Sequence, residues 1–476
     1  MPIKCRTCDL EFESIKECET HDIFSHKTNS PSIKKILILG GGFGALTVLK
    51  EIQKQIPHEK IKITIVSEKN FFLFTPMLPQ VSSGLLHPSS IAIPIRNLTK
   101  NSKFYQATVD SIDLKQKLVT IQRTFDGKVH ALEYDYLIIA LGSKNNFFSN
   151  SSIESHSFPM KSLEDALAIR NHVLTMLEHA DQTGSLELQK LFLTFVVIGA
   201  GFAGVETIGE INHLIKKSIR KYYPNIQKEN INMILISSKN KILPEIDEKI
   251  SFWAQSYLEK NGITILYNTH AKSAGEDYVD ITNGQKIPCS TIIWTGGIIP
   301  DNVIPSLDCS HDNSGRIVVE KTLQLTRYEN VFALGDCAAI PNGTMDTFYP
   351  STAQHAIHEG KLVAKNLKLL LNGEKELKTF SFHSLGVMAI IGHKVGIANI
   401  SGYSITGMSA WLLWRAYYLT KIPTFAKKFR IGFDWFVDFF IDRDLTLIDA
   451  VKKKTHLRRI FIANNPTLKE QLFSDI

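Results

Sequence analysis

The sequence is poor in cysteine, in long apolar runs and in charge of one sign. Six cysteines in 476 residues are too few for a disulfide framework. Three of them, Cys5, Cys8 and Cys18, crowd the N-terminus, while Cys289, Cys309 and Cys337 stand far apart. The start, MPIKCRTCDLEFE, lacks the apolar core of a secretory signal, and a reduced, cytosolic setting is expected. No uninterrupted apolar run reaches the ~18 residues of a membrane-crossing helix. A formal net charge of +7 is too small at this length to mark a nucleic-acid binder. What remains is 44% hydrophobic and 21% charged, the composition of a folded globular chain. At ~150 residues per domain, about three domains are expected.

The crowded cysteines have a pattern. Cys5-x-x-Cys8 is followed by His21 and His26, the two-Cys, two-His spacing for one tetrahedral Zn2+. Phe12 stands where such a module carries its aromatic core residue. Residues 1–29 resemble a single zinc finger of ββα type. Its helical stretch, Glu13 to Glu19, is acidic, and the segment holds four basic and six acidic residues. Phosphate binding needs the opposite sign, so a docking or structural module is favoured over nucleic-acid contact. Thr28 to Ser32 is a short polar linker.

The β-rich run Ile36–Leu39 leads into Gly40-Gly41-Gly42-Phe43-Gly44-Ala45 and a helical pattern. This is G-x-G-x-x-[G/A] in the strand–turn–helix setting that a dinucleotide needs. Gly40 permits the tight turn, Gly42 lets backbone approach a pyrophosphate, and Ala45 lets helix and strand pack. The N-terminus of the helix that follows the turn, which includes Phe43 and Gly44, supplies the anion site. Glu68 lies near the ~20-residue spacing at which an acid meets the ribose. The pattern recurs at Gly199-Ala200-Gly201-Phe202-Ala203-Gly204, after the strand Leu193–Ile198 and before Ile231–Ile236. Two such units imply two dinucleotides. The second lacks the ribose acid: the strand ends in Ser237-Ser238-Lys239. Neither NADH nor NADPH is excluded, and Ser237 is the candidate ribose contact.

Two further strands end in glycine turns, Tyr134–Ser143 through Gly142 and Asn330–Ala338 through Gly335-Asp336. An Asp at a strand end beside a helix N-terminus is well placed for a flavin ribityl hydroxyl. The order GGGFGA, YDYLIIALGS, GAGFAGVE, IIWTGG, ALGDCA resembles the two-dinucleotide-domain flavoproteins. Within them, NFFLFTPMLP (70–79), LEDAL (163–167), Leu243-Pro244 and PSTAQHA (350–356) resemble the type II NADH:quinone oxidoreductases. The resemblance covers about 33–450. It implies FAD in the first unit with Asp336, NADH or NADPH in the second, and a quinone reached through Ala353-Gln354. It further implies a nicotinamide-side carboxylate at Glu206. His358 takes the place of a second family glutamine, and a histidine there could hand a proton to reduced quinone. A family lysine near residue 385 is absent from Ser384-Leu385-Gly386.

From Gly402 the chain turns aromatic and basic: Trp411-Leu-Leu-Trp414-Arg-Ala-Tyr417-Tyr418, Phe425 to Arg430, and Trp435 to Phe440. Residues 411–476 hold 12 basic and 7 acidic side chains. Amphipathic, aromatic and basic helices suit an anionic membrane surface, or a homodimer interface. The expected fold is α/β. It comprises a finger (1–29), an FAD domain split between 33–145 and 320–400, an NAD(P)H domain (190–319), and membrane-anchoring helices (401–476). The expected protein is a monotopic flavoenzyme on the cytoplasmic face of the cell membrane, passing electrons from NAD(P)H to a quinone. A sulfide:quinone or other acceptor reductase is the alternative enzyme. From another class, a zinc-finger redox sensor remains open. The isolated Cys289, Cys309 and Cys337 speak against thiol redox chemistry at the flavin.

Overall fold

A computed structural model describes residues 3–4, 11–12, 33–384 and 386–447. Six helices carry the argument: α1 (Phe43–Gln55), α2 (Leu163–Gln182), α3 (Phe202–Tyr222), α4 (Ala353–Leu371), α5 (Met408–Lys421) and α6 (Phe425–Val437).

The first unit is built on an eight-stranded sheet. In spatial order its strands are 324–325, 328–333, 136–139, 34–39, 61–67, 102–113, 118–123 and 129–133. The strands 328–333, 136–139, 34–39, 61–67 and 102–113 run parallel. Strand Lys34–Leu39 ends in four fully buried residues, Ile36 to Leu39, as a central strand covered on both faces must. Helices α1 and α4 pack closely against each other. Gly44 and Gly360 allow this, because a Cβ on Gly360 would lie 2.9 Å from the Gly44 carbonyl oxygen.

The second unit is a five-stranded parallel sheet in the order 158–159, 291–294, 194–198, 232–236, 263–266. Its central strand, Thr194–Ile198, is buried throughout. Helix α2 links the units and starts with a capping box. The Ser162 hydroxyl accepts the Asp165 N–H while the Asp165 carboxylate accepts the Ser162 N–H, two end donors satisfied at once.

Two features depart from the sequence reading. The flavin unit was expected to run to residue 400. Instead, strands 386–392, 395–400 and 403–407 form a separate antiparallel sheet packed on α3 and α5. It belongs with the C-terminal helices. Those helices are also less lipid-like than their composition implies. Trp411, Trp414 and Trp435 are buried in the core, and Arg415 lies between the rings of Trp411 and Trp435, 3.7 and 4.7 Å from their centroids. Hydrophobic burial recruits the large tryptophans to the inside of the layer. The exposed aromatics are phenylalanines on the outer face of α6. Residues 448–476 lie outside the described residues.

Candidate flavin and nicotinamide sites

The first glycine turn opens onto a cavity of about 580 Å³, within the range of cofactor sites. Its wall includes Gly40, Gly42, Phe43, Gly44 and Glu68 from the first βαβ unit, Gly142 and Lys161 from the linker, and Asp336 and Ala353 from the returning chain. Gly40 has φ +118°, and a Cβ there would lie 2.0 Å from the Ala140 carbonyl oxygen. Only glycine fits. Gly42 faces the opposite way: a Cβ would meet nothing within 4 Å, an open cradle where a pyrophosphate would approach. Ala45 is not on the wall; it lies within α1 and is buried.

Asp336 is anchored by groups that the sequence reading missed. Ser143 Oγ donates to its Oδ2 at 2.6 Å, and Lys161 Nζ lies 2.6 Å from Ser143 Oγ and 3.4 Å from Asp336 Oδ2. The α2 capping box was the one sequence signal that could have placed Lys161, since it fixes where the chain enters the helix. Glu359 was missed as well. It is 2% exposed, and its Oε2 accepts the Gly335 N–H at 2.7 Å, locking the turn that presents Asp336. Gly335 has φ +73°, which favours glycine. These residues fit a flavin: an anion for ribityl hydroxyls, glycine cradles, and a helix N-terminus.

Burial pushes the Glu359 carboxyl up from 4.5 to about 7, with Asp336 adding to the rise and the Gly335 N–H opposing it. The folded chain therefore holds this proton more tightly than the unfolded chain. Stability from this group is complete below about 4.5 and is lost as pH rises to about 7. Glu359→Gln is expected to flatten the fall in melting temperature across that window, an effect of about 3 kcal/mol, checked by thermal melts at stepped pH.

The second glycine turn repeats the construction. Gly199 N–H donates to Ile236 O at 2.9 Å, pinning the turn to the neighbouring strand. A Cβ on Gly204 would lie 1.8 Å from Gly199 O, whereas one on Gly201 would meet nothing within 4 Å. Ser237 does not present its hydroxyl to this cradle. It is 2% exposed; its Oγ accepts the Lys239 N–H and donates to Lys241 O, at 3.2 and 3.1 Å. The exposed side chains beside it are Ser238, Lys239 and Asn240.

Glu206 and Gln354 are outside the wall of the flavin cavity, as is His358. Glu206 Oε1 accepts the Ile390 N–H at 3.1 Å, joining α3 to the C-terminal sheet. Burial pushes its carboxyl up to about 8, opposed by the Ile390 N–H and reinforced by Glu210. It is thus a carboxyl able to hold a proton at neutral pH. His358 stacks on Phe382 with centroids 4.1 Å apart. Burial, then Lys361 and Lys421, hold its pKa below the ordinary imidazole value, so less of the ring carries a proton at pH 7 than in an exposed histidine.

Cys289 and Cys337 are buried and Cys309 is partly buried, all three as free thiols. Burial pushes their thiols up to about 12, 12 and 11, the reverse of an activated thiolate. Cys5, Cys8, His21 and His26 lie outside the described residues. Among the described residues, strands Ile3–Lys4 and Glu11–Phe12 pair antiparallel, and no group of three metal-ligating side chains occurs.

Comparison with known proteins agrees with this geometry. Residues 34–360 match the pyridine nucleotide-disulphide oxidoreductase family and residues 384–444 match the NDH2 C-terminal domain. The chain belongs to the type II NADH dehydrogenase family. It is 32% identical over 419 residues to a Dictyostelium discoideum protein named "Probable NADH dehydrogenase", covering 87% of this chain and 91% of that one. It is 28% identical over 434 residues to a type II NADH:quinone oxidoreductase of Mycobacterium tuberculosis, with 88% and 91% covered. The fold matches an NADH complex of Plasmodium falciparum NDH2 with a TM-score of 0.80 at 22% identity, spanning 87% of this chain and all of the other. The match to the NDH2 C-terminal domain begins at residue 384, beside the start of the separate antiparallel sheet at Gly386.

Proposed function

We propose that this dehydrogenase oxidises NADH and reduces a membrane quinone, without moving protons across the membrane. The observation that carries the reading is that Asp336 and Ala353, from the returning chain, share one cavity wall with the first glycine turn, while a second, separate glycine cradle lies at the N-terminus of α3. A flavin in the first site supplies hydride acceptance and electron transfer. The chain supplies the rest. Gly42 and the α1 N-terminus receive a pyrophosphate, and Asp336, held by Ser143 and Lys161, orients hydroxyls. Gly201 and the α3 N-terminus seat the nicotinamide nucleotide. In this reading Glu206 holds a proton and Gln354 hydrogen-bonds a quinone headgroup. The test is steady-state reduction of a short-chain quinone by flavin-loaded protein with NADH. Stoichiometric NADH loss and quinol formation are expected, and absence of quinone-dependent NADH oxidation overturns the reading.

A peripheral membrane seat belongs to the same proposal. No described helix is long and apolar enough to cross a membrane. Phe425, Phe429, Phe433, Phe436 and Phe440 are exposed, at spacings that put them on one face of α6 and its exit. The opposite face carries the buried Ile431 and Trp435. Lys421, Lys428 and Arg430 flank this face, an arrangement suited to anionic lipid. The double substitution Phe429→Asp and Phe433→Asp is expected to reduce co-sedimentation with anionic vesicles at least tenfold, as two apolar anchors become charges. Unchanged sedimentation speaks against this face as the seat.

The spacing of Cys5, Cys8, His21 and His26 supports one Zn2+ per chain in a finger outside the family domain, with the Ile3–Lys4 and Glu11–Phe12 pairing bracketing both cysteines in sequence. Metal analysis is expected to find about one zinc per chain and none in Cys5→Ser.

A further inference from the structure

We propose that the nucleotide site accepts NADPH as well as NADH, with the turn at Ser238, Lys239 and Asn240 receiving the 2′-phosphate. This rests on the assignment of the second glycine cradle to the nicotinamide nucleotide and names a further substrate for it.

In doubly wound dinucleotide folds, selectivity is set at the end of the second strand. A carboxylate there accepts a hydrogen bond from the ribose 2′-hydroxyl and repels a 2′-phosphate. Here the second strand is Asn232–Ile236. It is paired in parallel with Thr194–Ile198, so that Ile236 lies level with Ile198 at the start of the glycine turn. The residue after it is Ser237, whose buried hydroxyl bonds within its own turn. It brings neither charge nor a free acceptor to the ribose.

The next residues are well anchored. Ser237 N–H donates to Leu266 O at 2.8 Å, Thr269 N–H to Ser237 O at 2.9 Å, and Asn268 N–H to Lys239 O at 3.1 Å. On the far side, Leu243 N–H donates to Ala200 O at 2.8 Å, so the loop is fastened to the glycine turn itself. With the backbone held at both ends, the side chains of Ser238, Lys239 and Asn240 point to solvent. Positions 237–242 read Ser-Ser-Lys-Asn-Lys-Ile, with the first downstream acid at Glu245. Lys239 makes no ion pair among the described residues. An exposed cation, a hydroxyl and an amide therefore sit on a fixed turn beside the nucleotide cradle. That donor set suits a dianionic phosphate, and no carboxylate of the loop opposes it.

The reaction balances as for NADH. NADPH gives its hydride and becomes NADP+, and the quinone gains two electrons and two protons, one proton drawn from solvent.

Two measurements on the oxidised holoenzyme decide the matter. Calorimetric titration with adenosine 2′,5′-bisphosphate and with 5′-AMP is expected to show at least fivefold tighter binding of the bisphosphate, and Lys239→Glu is expected to erase the difference. Steady-state assays are expected to give NADPH a kcat/KM within about tenfold of that for NADH, with Lys239→Glu lowering the NADPH-to-NADH ratio at least tenfold. Equal binding of the two adenosine ligands, or NADH turnover with NADPH more than a hundredfold poorer, overturns the proposal and leaves the NADH:quinone reading standing. If NADH itself drives no quinone reduction, the functional reading falls, and the calorimetric comparison still decides the phosphate site.

Discussion

Asp336→Ala protein is expected to leave gel filtration almost free of flavin. Asp336 is the one carboxylate that the returning chain brings to the cavity wall, and its Oδ2 receives Ser143 Oγ at 2.6 Å with Lys161 Nζ 3.4 Å away. Removing it takes away the acceptor for a ribityl hydroxyl and leaves the ammonium of Lys161 facing the cavity without its anion. Hydrogen bonds to charged groups contribute ~1.5–3 kcal/mol each, so flavin affinity should fall about a hundredfold. Asp336→Asn keeps the shape and should lose less. Flavin per polypeptide, read from absorbance after desalting, checks both. Full retention of flavin by the Ala variant would falsify the assignment of Asp336 to the flavin.

The second large effect separates two glycines three residues apart. Gly204→Ala places a Cβ 1.8 Å from Gly199 O and 2.8 Å from Thr295 Oγ1, two groups already hydrogen-bonded to each other with no room to yield. Overpacking of this kind costs ~3 kcal/mol or more, and a large loss of melting temperature or failure to accumulate as folded protein is expected. A Cβ at Gly201 would meet no neighbour within 4 Å, and the residue has an ordinary φ of −77°, so Gly201→Leu starts from open space. It should fold and retain flavin, because the first glycine turn is untouched. The added side chain fills the space where a pyrophosphate would approach, and NADH KM should rise at least tenfold. Thermal melts and kinetics on the pair distinguish closeness of packing from closeness to ligand. Equal destabilisation of both variants would show that Gly201 is a packing residue too.

Some of the candidate site is legible in the sequence. The glycine spacing is a local signal: Gly40 and Gly199 need their turn wherever the chain goes next, and the strand that precedes each is read from apolar runs. Asp336 was legible for the same reason, since it stands at a strand end in a glycine turn. Lys161, Ser143 and Glu359 were not. Each acts by meeting a residue far along the chain or across a helix turn, and sequence spacing carries no record of such meetings. Ser237 shows the converse. It stands at the end of its strand, but the direction of its hydroxyl depends on hydrogen bonds within the turn, to Lys239 N–H and Lys241 O.

The amino-acid sequence by itself determined two glycine-turn dinucleotide units, their order, and an aromatic C-terminus, because hydrophobic period and turn chemistry are local properties. Tertiary structure alone decided that the returning segment closes the first cavity and that Glu359 holds its turn. It likewise decided that the three tryptophans go inward while the phenylalanines of α6 stay out. The physical reason is burial. Which apolar face is covered, and which carboxyl loses its water, depends on elements brought together from distant parts of the chain.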